Sequence, residues 1–132
     1  MSAGTALLVA LGAVVGAPLR FAVERLLAST YPWGTWLVNV VGSAVLGVLA
    51  GVAQSAQGAP VALVALVGTG FCGALTTFGG FAAQVLDLAA APSDRPARGR
   101  AWRSLGYAAA SVAACLVVAA LAFVTTRSTL GR

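Results

Sequence analysis

The sequence predicts an all-α membrane protein of four transmembrane helices, the third of them broken at mid-membrane. Three observations carry that reading: the overall composition, the spacing of four long apolar runs, and a cluster of glycine and threonine inside the third run. Of 132 residues, 60% are hydrophobic and 8% charged, and the mean hydropathy is +0.95, well outside the balance of a water-soluble domain.

A helix needs roughly 20 apolar residues to cross about 30 Å of hydrocarbon. Four runs meet that length, at about 5–27, 33–53, 61–88 and 105–126, within a single domain over 1–132. The first opens on Met1-Ser2-Ala3-Gly4, without a basic leader, and passes through Pro18-Leu19-Arg20, which is no cleavage signature, so it is expected to stay as a span. The spans are separated by Ala28-Ser29-Thr30-Tyr31-Pro32, by Gln54-Ser55-Ala56-Gln57-Gly58-Ala59-Pro60, and by an arginine-rich stretch over 92–103 that reads as a loop. Trp33, Trp36 and Trp102 fall where interfacial aromatics belong. Gly12 and Gly16, Ser43 and Gly47, and Gly47 and Gly51 are small residues four apart, the spacing that lets helix backbones approach closely in lipid.

All eight basic residues are arginine, and their placement is lopsided. Arg25, Arg95, Arg98, Arg100 and Arg103 follow the odd-numbered spans, against Arg127 and Arg132 on the other side. The positive-inside rule then puts the odd loops in the cytoplasm and both termini outside. The net charge of +5 is accounted for by this topology signal and implies no nucleic-acid partner.

Composition also limits the chemistry. There is no histidine, and Cys72 and Cys115 sit in apolar runs, where a thiol packs as a small hydrophobe. Without histidine, paired acids or an activated cysteine there is nothing to move protons, so no enzyme is expected.

The third span is written unlike a plain helix: residues 67–81 hold five glycines and three threonines. Gly68, Gly70 and Gly73 spell a dinucleotide-binding pattern, but that loop needs a preceding strand in a soluble α/β unit. A helix interrupted at mid-membrane fits better, because glycine loosens the backbone while threonine hydroxyls and neighbouring helices satisfy the freed polar groups. Carbonyls exposed at such a break can hold or steer a small ion. Asn39 falls in the middle of the second span, and Phe78 and Phe81 stand three apart on one helix face. An amide donates to an anion, and a phenyl ring presents a positive edge. The alternatives are an interhelical hydrogen bond for Asn39 and ordinary packing for the phenylalanines.

Three blocks carry a family resemblance: Gly16-Ala17-Pro18-Leu19-Arg20, Gly34-Thr35-Trp36-Leu37-Val38-Asn39-Val40-Val41-Gly42-Ser43, and Gly70-Phe71-Cys72-Gly73-Ala74-Leu75-Thr76-Thr77-Phe78. In order and spacing they resemble the small four-helix fluoride channels of the CrcB/Fluc type, and the likeness covers essentially the whole chain. The resemblance implies a passive fluoride-selective channel that exports fluoride across the cell membrane and confers fluoride resistance. It implies an antiparallel dual-topology dimer with two pores, and a central structural Na+ bound by backbone carbonyls at the third-helix break, here Gly73 and Thr76. It assigns the anion pathway to Asn39, Phe78, Phe81, Thr77, Tyr107 and Ser111, with Arg20 near the aqueous mouth.

The chain departs from the family pattern in two places. Gly79-Gly80 stands where the family usually has Ser-Thr, and Gln84 where it usually has glutamate. The arginine asymmetry bears on the partner, since a homodimer of opposed subunits needs little topological bias. The second subunit is therefore either another copy or a related chain of inverse bias, giving a heterodimer. Two other functions are weighed. A small multidrug-type, proton-coupled exporter needs a titratable carboxylate deep in the first helix, whereas Glu24 lies near that helix's end, where an Arg20–Glu24 pair at i, i+4 is positioned to close a salt bridge. A non-transporting membrane subunit would leave Asn39 and Phe78 without a role.

Overall fold

The computed structural model describes residues 2–55, 58–90 and 96–130. Ala56 and Gln57 of the second connection, 91–95 of the arginine-rich stretch including Arg95, and Arg132 lie outside the described residues. Helix α1 is Ala3–Leu26, started by Ser2, whose hydroxyl accepts from the Thr5 N–H at 3.2 Å. Helix α2 is Trp33–Ala53, entered through Pro32. The third span comes in two pieces: α3 covers 61–75, and α4 is Phe78–Ala90. Helix α5 is Ala97–Leu130. The turn before α3 uses Gly58 at φ 66°, a conformation glycine adopts without the steric cost of a Cβ.

Among the described residues four segments are long and apolar enough to cross a membrane: Ala3–Leu26, Trp33–Ala53, Val61–Ala90 and Ala97–Leu130. The fourth begins earlier than the hydropathy boundary at 105. The described part of the arginine-rich stretch, from Ala97 onward, is helical and continues into the span rather than looping. Its first turn starts on Pro96, whose carbonyl accepts from the Gly99 and Arg100 N–H groups at 2.8 and 3.2 Å. Arginine is a good helix former, so hydropathy marks where α5 enters lipid and not where it starts.

The small residues act where their spacing predicts. Helix α1 lies along α3, and α2 along α5. A Cβ on Gly12 would fall on the Leu66 carbonyl oxygen, and one on Gly16 on the Phe71 carbonyl oxygen. Gly70 of α3 faces Val9 in return, while Gly47 and Gly51 meet Ala119, Phe123 and Thr126 of α5. At Gly12, Gly16, Gly47 and Gly70 these are backbone-to-backbone approaches, and at Gly51 the Thr126 side chain is the nearest neighbour. The core is thin: among the described residues Val38, Leu49, Ala65, Cys72, Leu75, Leu88 and Tyr107 are the buried apolar side chains. Large apolar residues on the outside, such as Val14, Phe21, Phe78 and Leu116, are 63–82% exposed, a surface suited to lipid or a partner subunit.

The interruption sits beyond the glycine run, at the two threonines. Val64–Cys72 winds as a π-type helix and Gly73–Leu75 as a final α turn. Thr76 then turns extended, at φ −80° and ψ 154°. Gly68 and Gly70 thus serve close packing, and the threonines make the break. The Thr76 N–H and hydroxyl both bond the Cys72 carbonyl at 2.9 Å, which closes α3. The Thr77 hydroxyl oxygen accepts the Gly80 N–H at 3.0 Å, which opens α4.

Candidate functional site

A break in lipid leaves backbone groups that need partners. Asn39, from the middle of α2, supplies them to Thr77: its Oδ1 accepts the Thr77 N–H at 2.8 Å and its Nδ2 donates to the Thr77 carbonyl at 3.2 Å. The amide thus substitutes for a missing stretch of helix ladder. One of its two amide hydrogens remains for another acceptor. Gly42, on the same helix, allows the approach, since a Cβ there would meet the Thr76 methyl group.

Beside the break lies an open groove of about 320 Å³, lined by Asn39, Thr77, Phe78, Phe81, Ser111 and Cys115 among others. The Phe78 and Phe81 rings are 6.1 Å apart at 45°, and Phe81 stands 5.7 Å from Tyr107. Phe78 is 82% exposed. Ser111 is the opposite case: 4% exposed, with no well-formed hydrogen bond to its Oγ among the described residues, although the Tyr107 phenol lies close enough to interact with it. A buried hydroxyl left unpaired is costly, so the Ser111 hydroxyl needs an acceptor, either the nearby Tyr107 oxygen or something in the groove. Asn39, Thr77, Phe78, Phe81 and Ser111 are thereby brought together. Tyr107 lies one turn from Ser111 on α5 and is 1% exposed. Arg20 lines neither this groove nor the pocket described next.

A second pocket of about 340 Å³ opens at the end of the bundle that carries the α1–α2 connection, with Glu24, Thr35, Gln84 and Asp87 in its wall. Here the structure corrects the sequence reading. Among the described residues no ion pair joins Glu24 to Arg20; the carboxylate instead accepts the Thr35 hydroxyl at 3.0 Å. The reason is Gly34, whose missing side chain lets α2 press against the Glu24 backbone, a Cβ there coming within 2.6 Å of the Glu24 Cα. Glu24 is thereby turned inward across the helix pair. Gln84 donates from Nε2 to Thr35 Oγ1 at 2.7 Å, and Tyr107 donates to Gln84 Oε1 at 3.1 Å. Sequence reasoning missed Thr35 and the inward role of Glu24; the available signal was a hydroxyl next to a glycine in an apolar span.

The carbonyl oxygens of Gly73 and Thr76 accept no hydrogen bond among the described residues, and space lies open in front of Gly73. No group of three or more histidine, cysteine or acidic side chains suited to a metal occurs among them. A cation at the break would therefore rest on carbonyl oxygens, a donor set that suits Na+. The basic residues keep their asymmetry in space. Arg103 reaches the Thr30 carbonyl at 3.4 Å and the Tyr31 ring at 5.9 Å, so the start of α5 and the α1–α2 connection share one end of the bundle.

Comparison with known proteins agrees with this architecture. Residues 7–123 match the family model described as CrcB-like protein, Camphor Resistance (CrcB). The fluoride-specific ion channel FluC 2 of Rhodococcus jostii is 43% identical over 121 residues, covering 90% of this chain and 96% of the relative. The fluoride-specific ion channel FluC 1 of Streptomyces avermitilis is 46% identical over 86 residues, 62% of this chain and 68% of the relative. FluC 1 of Thermobifida fusca is 38% identical over 122 residues, 89% and 91% of the two chains. With four membrane-crossing segments, a third helix interrupted at paired threonines, and a family match over most of its length, this multi-pass membrane protein belongs to the CrcB-like family.

Proposed function

We propose that this chain is a subunit of a fluoride-selective channel that lets fluoride leave the cell passively. The observation that carries the reading is the groove beside the break, which Asn39, Thr77, Ser111 and the Phe78 and Phe81 side chains line together. The names of the related channels support the choice of ion.

Fluoride is small and tightly hydrated, so a conducting site must replace water with donors without binding so firmly that the ion stays. Amide N–H, hydroxyl O–H and aromatic edges are donors of that kind. Among the described residues no arginine lines the groove to trap the anion. With the cell interior negative, moving one anion outward gains about 2.3 kcal/mol per 100 mV, so neither ATP nor a coupling ion is required. No covalent chemistry takes place.

A single subunit leaves the groove open on one side, with Phe78 and Gly73 facing outward. A second four-helix subunit in the opposite orientation closes it and brings two breaks together. The carbonyls of Gly73 and Thr76 from both subunits would hold Na+ there, whose positive charge ties the subunits at the centre. The second subunit is a further copy or a related chain, and the arginine asymmetry is the observation favouring a related chain. Cysteine labelling from one face of the membrane separates these: a homodimer exposes both orientations, and a fixed-orientation subunit exposes one.

The functional test is fluoride efflux from sodium-containing liposomes holding this chain, with valinomycin and potassium to carry compensating charge. Rapid efflux that chloride does not match is the expected result. Restoration only on adding a related subunit identifies a heterodimer. Silence from folded protein in both cases overturns the channel.

A further inference from the structure

Four side chains on four helices form one continuous hydrogen-bonded line from the pocket toward the groove: Glu24 on α1, Thr35 on α2, Gln84 on α4 and Tyr107 on α5. Its proton order is not free. A carboxylate only accepts, so the Thr35 hydroxyl must donate to Glu24. A hydroxyl has one hydrogen, so Thr35 can only accept from Gln84. That contact must be made by the NH2 of the amide, which turns Gln84 Oε1 toward Tyr107. The phenol must then donate to it. One negative charge on α1 therefore sets the direction of three hydrogen bonds and ends at a tyrosine on α5.

The consequence is felt in the groove. Tyr107 and Ser111 are one turn apart on α5, both almost fully buried. With the line ordered as described, the Tyr107 proton points toward Gln84, and the phenol offers the neighbourhood of Ser111 only oxygen lone pairs. An anion in the groove finds no donor on Tyr107, and the phenol lone pairs compete with it for the Ser111 hydroxyl proton. Reversing the line would aim the phenol at the anion. It requires the Gln84 amide to flip and Thr35 to turn its hydrogen away from Glu24, which the carboxylate opposes.

We propose that Glu24 is a positioning residue: through Thr35 and Gln84 its charge holds the Tyr107 hydroxyl turned away from the groove, and so restrains anion passage at Ser111. The proposal rests on the reading of the groove as a fluoride path. The other charged groups nearby do not replace this control. Asp87 lines the same pocket and adds charge of the same sign. Arg20 and Arg25 form no ion pair with Glu24 among the described residues, and Arg25 lies over the Phe21 ring. Arg103 is engaged with Thr30 and Tyr31.

The chain has two tyrosines, Tyr31 and Tyr107, so Tyr31→Phe leaves Tyr107 as the sole reporter. In ultraviolet resonance Raman spectra the tyrosine doublet separates a donating phenol from an accepting one. In the Tyr31→Phe parent the donating signature is expected. Glu24→Gln, close to isosteric and able to donate or accept, shifts it toward the accepting form and raises fluoride efflux severalfold over the same parent. Thr35→Val cuts the line, gives a similar rise, and makes Glu24→Gln without further effect when the two are combined. A donating signature that Glu24→Gln leaves unchanged, or efflux equal to the parent in both variants, overturns the proposal. A parent that passes no fluoride, alone and with a related subunit added, overturns the channel reading and the anion part of this proposal with it, while the Raman result still decides whether Glu24 orders the line.

Discussion

The two halves of the third span are built on different physics, although they are continuous in sequence. Helix α3 is held by shape. Its Gly70 meets Gly12 and Val9 of α1, and Gly16 of α1 meets the Phe71 carbonyl, at distances where one methyl group would overlap backbone. Helix α4 is held by polar contacts: Asn39 to Thr77, Thr35 to Gln84, Tyr107 to Gln84, and the Ser104 hydroxyl to the Val85 carbonyl at 2.5 Å. Where Gly12, Gly16 and Gly70 meet, the first arrangement leaves no space for a side chain. The second leaves a groove and polar groups with unused capacity. A four-helix chain thus separates anchoring from ion handling within one membrane crossing, with two threonines as the boundary.

This contrast is sharpened by substitutions on either side of the boundary. Gly12→Leu forces a side chain into the Leu66 carbonyl and Phe71 N–H, and is expected to cost about 3 kcal/mol. The readout is the yield of monodisperse protein in detergent, which should collapse; a normal yield would break the claim that shape holds α3. Asn39→Ala leaves the Thr77 N–H and carbonyl unpaired at the break. With each orphaned buried group worth about 1–3 kcal/mol, stability should fall by roughly 2 kcal/mol and fluoride efflux by more than tenfold.

Smaller effects are expected further from those contacts. Thr77→Val removes the hydroxyl that accepts the Gly80 N–H, a cap worth about 1 kcal/mol, and should lower the melting temperature without preventing assembly. Gly79→Ala meets no atom within 4 Å, so its effect on stability should stay within about 0.5 kcal/mol. If Gly79→Ala proved as damaging as Gly12→Leu, the division of the span into two kinds of packing would fail.

Much of this was legible in the sequence because it follows from length and residue size. Four spans come from apolar runs, and the Gly12/Gly16 and Gly47/Gly51 contacts come from spacing alone. The break was legible within 67–81 but not at its residue: composition marks the whole stretch, whereas the interruption falls where a hydroxyl caps each side, at Thr76 and Thr77. Helix α5 was read as starting late because hydropathy reports lipid and not helicity. Glu24 was read as half of a surface pair with Arg20. Its actual partner, Thr35, is eleven residues away on another helix, and only the close approach at Gly34 brings the two together.

The most direct test of the central claim, that the groove along α4 carries fluoride while α3 anchors it, is the efflux of fluoride from liposomes containing Phe78→Ile. Phe78 is 82% exposed in the subunit, so the variant should purify and assemble like the parent. Efflux reduced to the rate of protein-free liposomes is the predicted result. Efflux at the parent rate from the same amount of assembled protein would contradict it.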